Sequence, residues 1–297
     1  MSLRFMPKFA YHTPKTIQEA CQALNTAGEK GKVIAGGTAL LDIMKKRYLT
    51  PPETLVCIMG IPGLSGITSE GGGVKIGPMT TLTEIAESGT VPMLAETAKQ
   101  VSTSQLRNMG TIGGNICQQV RCWYYNKAEF YCYRKGGPVC YQPGGDNRYG
   151  AILEQKVCNA VVPSDMAVSL TALNATLTVQ GTGGTKEVAM KDFYVTLGNV
   201  LEPDEIITSI NIPETPSKGS FKKAKVKKSF DFAIASAAVA TTSAGTTAAL
   251  GGVAPVIVSG TPDEVSSALD NATPLSMNRY KIQIAKSLVK KAIMGSA

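Results

Sequence analysis

Between Arg121 and Cys158 the chain reads RCWYYNKAEFYCYRKGGPVCYQPGGDNRYGAILEQKVC. Four of the seven cysteines, Cys122, Cys132, Cys140 and Cys158, fall inside this stretch, with nine, seven and seventeen residues between them. Thiolates are soft ligands for iron and zinc, and a chain of 297 residues with an odd number of cysteines does not depend on disulfides for its core. Metal binding is therefore the first reading. An iron-sulfur cubane suits four thiolates, because each iron offers one outward site. Zinc would accept the same four, although no close Cys-x-x-Cys pair is present and His12 is the only histidine, so no mixed Cys/His site can form nearby. Buried structural thiols are the third alternative, and Cys21 and Cys57, in apolar helical and strand contexts, read that way.

Two glycine loops offer a second chemistry. AGGTAL (Ala35–Leu40) sits between an apolar strand and a helix, and RNMGTIGGN (Arg107–Asn115) repeats the device further along. Adjacent glycines let the backbone approach a ligand closely, and amides at a helix start point at an anion. Two such loops could clamp one diphosphate, with Thr38 and Thr111 adding hydroxyls. Neither is a Walker A or a Rossmann GxGxxG turn.

The elements that position these residues follow from periodicity. TIQEACQALNTA predicts a helix ending at Gly28, KVIAG a strand, and ALLDIMKKR a helix with a basic last turn. TLVCIM and VKIGPMT read as strands, LTEIAES and VPMLAETAKQV as helices. From about Ala167 the pattern predicts alternating strands, a second strand pair around FKKAKVKKSF, and a closing helix over Leu275–Met294 with a stripe of Ile282, Ile284, Leu288, Val289 and Ile293. A boundary near residue 177 divides a mixed α/β nucleotide-binding unit from an α+β unit with an antiparallel sheet.

Hydrophobic residues make up 43% and no apolar run approaches the roughly 20 residues that span a bilayer. The first residues carry no apolar core with a cleavage site, so the expectation is a cytoplasmic protein without a membrane span. The net charge of +8 is spread along the chain, aromatics are only 6%, and no nucleic-acid motif accompanies the lysine run, so nucleic acid is not the expected partner.

VIAGGTALLDIMKKR, QLRNMGTIGGNI, PSD at Pro163–Asp165, LEPDEIITSINIP and ALGGVAP at Ala249–Pro255 together resemble the FAD-binding medium subunit of the molybdenum hydroxylases, in order and across nearly the whole chain. That family includes the flavin parts of xanthine dehydrogenase, carbon monoxide dehydrogenase and 4-hydroxybenzoyl-CoA reductase. The resemblance implies an α+β fold: a two-part FAD-binding domain of the PCMH type over residues 1–177, then a C-terminal domain over 178–297 with an antiparallel sheet. It implies an FAD pyrophosphate held by Val33, Ile34, Ala35, Gly36, Gly37, Thr38, Ala39 and Leu40 and by Thr111, Ile112, Gly113, Gly114 and Asn115. Asp165 would accept hydrogen bonds from the ribose or adenine side, and Leu201 and Lys228 would lie near the flavin. The lone His12 lies outside any tethering motif, so the FAD is expected to be non-covalent.

Most flavin subunits of this family pass from TIGGN to PSD without a cysteine cluster. The insertion at 117–160 resembles that of the β subunit of 4-hydroxybenzoyl-CoA reductase, shared by flavin subunits of periplasmic aldehyde oxidoreductases. It implies a [4Fe-4S] cluster on Cys122, Cys132, Cys140 and Cys158, with Cys117 at no ligand position. The resemblance further implies a large molybdopterin-binding subunit and a small [2Fe-2S] subunit as partners, in a dimer of heterotrimers. The chain would then be an electron-transfer oxidoreductase subunit exchanging electrons with NAD, ferredoxin or a quinone. A zinc-binding or assembly protein and a free-standing FAD oxidoreductase are the rival readings.

Overall fold

The computed structural model describes residues 5–296. The chain opens with a small parallel sheet: β1 (Ala10–His12), α1 (Ile17–Ala27), β2 (Gly31–Ile34), α2 (Leu40–Lys46) and β3 (Thr54–Cys57), with strand order β1-β3-β2. The Thr16 hydroxyl accepts from the Glu19 amide to cap α1, Ala20, Cys21 and Leu24 face inward, and Gly28 ends the helix at φ 56°. Lys45 and Lys46 complete the basic last turn of α2.

Strands β4 (Ile67–Glu70) and β5 (Gly73–Ile76) lead into α3 (Leu82–Glu87), α4 (Pro92–Lys99), α5 (Ser104–Arg107) and α6 (Ile112–Ile116). Residues 117–164 then run without a strand or α-helix. Helix α7 (Asp165–Ala172) follows, then β6 (Thr176–Gly181), β7 (Gly184–Ala189), β8 (Tyr194–Val195), β9 (Gly198–Asn199) and β10 (Ile206–Ile212). Strand β10 pairs antiparallel with both β5 and β6, giving one sheet in the order β4-β5-β10-β6-β7.

The rest is an antiparallel sheet, β11 (Lys218–Ala224), β12 (Ala235–Thr242), β13 (Gly245–Gly251) and β14 (Val258–Gly260), with α8 (Pro262–Asp270) and α9 (Tyr280–Gly295). Its middle strands are buried on both faces. Ala238, Ala240 and Ala249 join the main core that includes α7, whereas Ala235, Ala237, Val239, Ala248 and Leu250 join a second core under α8 and α9. Small side chains let helices lie close to both faces, and Gly251 is required because a Cβ there would come within 2.3 Å of Val168. Among the described residues no helix is long and apolar enough to cross a membrane.

Two expectations need correction. Residues 167–172 are helical, not extended: all eight residues of α7 are buried, so no polar face marks its period. The inward stripe of α9 is Lys281, Ala285, Leu288, Val289 and Ala292, while Ile293 is exposed.

Candidate functional site

The two glycine loops meet. A Cβ on Gly36 would lie 1.6 Å from the Met109 carbonyl oxygen, so the backbones of the AGGTAL and RNMGTIGGN segments abut directly. Gly37 adopts φ +70°, a left-handed conformation that turns the strand into α2. The loops differ in what their amides do. Those of Gly36, Gly37, Thr38, Ala39 and Leu40 find no acceptor among the described residues. In the second loop Ile112 donates to the Thr80 carbonyl, Gly113 to that of Pro78, Gly114 to the Thr111 hydroxyl and Asn115 to the Thr111 carbonyl. The first loop thus presents free donors at the start of α2, and the second is a rigid buttress whose Asn115 side chain accepts from the Ser164 hydroxyl at 2.7 Å.

Ser164 also caps α7 by accepting from the Ala167 amide, which fixes Asp165. That carboxylate is buried and paired with Lys223 of β11 at 2.6 Å. Burial pushes the Asp165 carboxyl up while the Lys223 ammonium pulls it down. Lys223→Met leaves an unpaired buried carboxylate, and the expected loss is about 3–5 kcal/mol of stability, read as a lowered urea midpoint. Loss of less than about 1 kcal/mol, the range of exposed pairs, would contradict a buried pair.

The four clustered cysteines line one small cavity with Tyr124, Tyr125, Tyr133, Arg134, Val157 and Ala160. Their sulfurs are hydrogen-bond acceptors: Cys122 Sγ from Gln142 Nε2 (3.3 Å), Cys140 Sγ from Asn159 Nδ2 (3.4 Å), and Cys158 Sγ from Arg134 Nε and the Ala160 amide (both 3.4 Å). Burial pushes the Cys122 thiol up, as it does the thiols of Cys21 and Cys117 outside the cavity. Cys21 Sγ donates to the Gln180 carbonyl, and burial pushes its thiol up to about 11. Cys117 packs against the main core, away from the cavity, and burial pushes its thiol up to about 12. Among the described residues no three Cys, His, Asp or Glu side chains close round a single metal ion; the four thiols face a shared space instead.

The segment that carries them is clasped by the residues leading into α9. Asn147 Nδ2 donates to the Ser276 hydroxyl, the Met277 amide to Asn147 Oδ1, Asn278 Nδ2 to the Ala151 carbonyl, and the Tyr280 hydroxyl to the Arg148 carbonyl.

A larger cavity of about 310 Å³ adjoins the thiol cavity, and Cys122, Tyr124, Gln142 and Ala160 line both. Ser164, Asp165, Lys227, Phe232, Ser236 and Gly252 close its far side. Three buried polar atoms in its lining, Arg121 Nε, Gln142 Oε1 and Ser236 Oγ, have no partner among the described residues. Buried polar atoms are almost always satisfied, so this chemistry fits a polar, partly aromatic ligand. The Arg121 guanidinium stacks over Phe232, 4.9 Å from its centroid.

The sequence-predicted residues are only partly brought together. Asp165 and Cys122 line the large cavity; neither loop does, and the link is Asn115 to Ser164. Leu201 lies half-buried against the main core after β9. Lys228 is exposed on the β11–β12 connection, whose Val226, Lys227, Asp231 and Phe232 reach the cavity in its place. Arg121, Gln142 and Ser236 carried no motif. Lys281 left a readable signal, a lysine on the inward stripe of an amphipathic helix.

Comparison with known proteins agrees with this architecture. Residues 7–215 match the family model described as the FAD binding domain in molybdopterin dehydrogenase. The carbon monoxide dehydrogenase medium chain of Hydrogenophaga pseudoflava is 29% identical, over 98% of this chain and 85% of its own length. The aldehyde oxidoreductase FAD-binding subunit PaoB of Escherichia coli K12 is 31% identical, over 95% of this chain and 96% of its own. Among solved structures, carbon monoxide dehydrogenase from Hydrogenophaga pseudoflava superposes with a TM-score of 0.75 at 28% identity, covering 98% of both chains. With its abutting glycine loops and FAD-domain match, the chain belongs to the FAD-binding medium subunits of the molybdenum hydroxylase family, and so to an oxidoreductase.

Proposed function

We propose that this chain is the FAD- and [4Fe-4S]-carrying electron-transfer subunit of a molybdenum hydroxylase complex of the 4-hydroxybenzoyl-CoA reductase or aldehyde/xanthine dehydrogenase type. In this reading the free amides of the Val33–Leu40 segment hold the FAD pyrophosphate against the Thr111–Asn115 buttress. The 310 Å³ cavity takes the flavin ring, and Arg121, Gln142 and Ser236 satisfy its polar edge. Cys122, Cys132, Cys140 and Cys158 ligate the cluster. The flavin domain runs to residue 215, where the family match ends, past the expected boundary at 177, and Val226, Lys227, Phe232, Ser236 and Gly252 of the following sheet and its connection help to wall the cavity. When bound, FAD exchanges electrons in pairs or singly and the cluster exchanges them singly.

The observation that carries the reading is the shared wall: Cys122, Tyr124, Gln142 and Ala160 border both cavities. Zinc and a cubane make different demands on the four sulfurs. Tetrahedral zinc draws four sulfurs to roughly 3.8 Å of one another, whereas in a cubane each sulfur takes a different iron. The hydrogen bonds onto three of the sulfurs supply the outer contacts that tune such centres.

In this reading the organic substrate is turned over on a large molybdopterin-binding subunit, reached through a small [2Fe-2S] subunit, in a dimer of heterotrimers. The chain purified without oxygen is expected to show flavin bands on a broad iron-sulfur shoulder, with iron and sulfide in equal amounts. A colourless protein with one zinc per chain would overturn the proposal.

A further inference from the structure

The large cavity has a cation behind its wall that the reading above leaves unused. Lys281, on the inward side of α9, is fully buried, and its Nζ donates to the carbonyl oxygens of Gly252 (2.6 Å), Gly150 (2.8 Å) and Tyr149 (3.3 Å). All three residues line the cavity. The ammonium therefore sits one peptide layer from whatever fills it. Three carbonyl acceptors use all three N–H donors, a geometry that selects the charged form against burial, which alone pushes the group down to about 7.

Among the described residues no carboxylate neutralises this charge. Asp146 is bonded to Arg148 at 2.6 Å and Asp165 to Lys223 at 2.6 Å, while Asp231 accepts from the amides of Lys227 and Phe232. Arg121 and Lys227 add further positive charge to the lining. A neutral side chain could tie the same turns together without burying an ion, which is costly when no counter-ion is present. The lysine is therefore accounted for by its field rather than by its bonds alone.

We propose that Lys281 is a positioning residue for the electrostatics of the cavity: its fixed charge, acting through the Gly150 and Gly252 peptides, favours the reduced form of a flavin held there. The balance is simple. Uptake of two electrons from a one-electron iron-sulfur donor, in two transfers, with one proton from solvent adds one negative charge to the ring. A buried cation nearby stabilises that charge more than it would in water. The proposal rests on the reading that the flavin ring occupies this cavity.

The test is a spectroelectrochemical titration, at one pH, of the full chain with FAD, comparing the unaltered protein with Lys281→Arg, Lys281→Gln and Lys281→Met, while FAD content and melting temperature are recorded for each. The neutral variants are expected to shift the oxidised-to-reduced equilibrium at least tenfold toward oxidised flavin, about 30 mV for a two-electron couple, while Lys281→Arg stays within that margin. Lys281→Gln keeps amide donors for the carbonyls, so it separates charge from structure. In the unaltered chain, a measurement that needs no variant, bound flavin is expected to titrate above free FAD. A Gln variant that binds FAD normally at an unchanged potential overturns the role of Lys281 alone, as does an unaltered chain whose flavin titrates below free FAD. An unaltered chain that retains no FAD overturns the flavin-cavity reading, and this proposal with it.

Discussion

Cys158→Ser is expected to lose nearly all of its iron and sulfide, with the same outcome for Cys122, Cys132 and Cys140, while Cys117→Ser, Cys21→Ser and Cys57→Ser keep the full amount. The structure separates these groups on two grounds. The first four line one cavity, and three of them accept hydrogen bonds at sulfur. Cys117 packs instead against the main core, and Cys21 donates its S–H to a carbonyl. A hydroxyl is a poor ligand for a soft iron site. The segment from 117 to 164 has no strand or α-helix to hold it, so losing the cluster should also loosen it, seen as faster amide exchange between Arg121 and Cys158. FAD content should fall less than iron content, because the glycine loops lie outside that segment. Asn159→Ala, which removes a donor to Cys140 Sγ, tests the surroundings: iron affinity should drop about 10–100-fold. Equal iron in Cys117→Ser and Cys158→Ser preparations would show that the ligand set is wrong.

What the sequence disclosed and what it hid divide along physical lines. Glycine loops and clustered cysteines are legible because few other residues can replace them: Gly36 has no room for a Cβ, and no other side chain matches the thiolate's affinity for soft metals. Amphipathic helices such as α1 were legible for the same reason that they fold, an inward face of Ala20, Cys21 and Leu24. The helix α7 was not, because burial on every side removes the contrast on which periodicity depends. The strand pair expected around FKKAKVKKSF is β11 and β12, whereas β13 was obscured by alanine, a residue depleted in strands and used here because helices press on both faces. The large cavity was hidden for a further reason. Its polar atoms come from Arg121, Gln142 and Ser236, residues far apart in sequence that share no spacing, and only the fold brings them together.

The same geometry makes Gly36, rather than Gly37 or Gly114, the most sensitive position of the glycine loops. A methyl group there would overlap the Met109 carbonyl, with its Cβ 1.6 Å from the oxygen and 2.6 Å from the carbon. Backbone cannot swing aside as a side chain does, so the two loops must part. At Gly37 the positive φ of 70° disfavours a side chain, but the nearest neighbour is the flexible end of Leu41 at 3.0 Å. At Gly114 a Cβ meets only the Thr111 hydroxyl at 3.1 Å. Gly36→Ala is therefore expected to cost roughly 3 kcal/mol, the upper end for overpacking, and about a hundredfold in FAD affinity if the loops hold the cofactor together. Gly37→Ala should cost about 1–2 kcal/mol from left-handed strain, a tenfold effect or so in binding. Gly114→Ala needs the Thr111 hydroxyl to give only slightly, so the FAD-free protein should change least in stability, and FAD lost beyond that change would report space taken by the cofactor. FAD per chain after desalting, together with the melting temperature of the FAD-free protein, distinguishes the cases. Full FAD retention by Gly36→Ala would mean that the abutting loops are not where the cofactor is held.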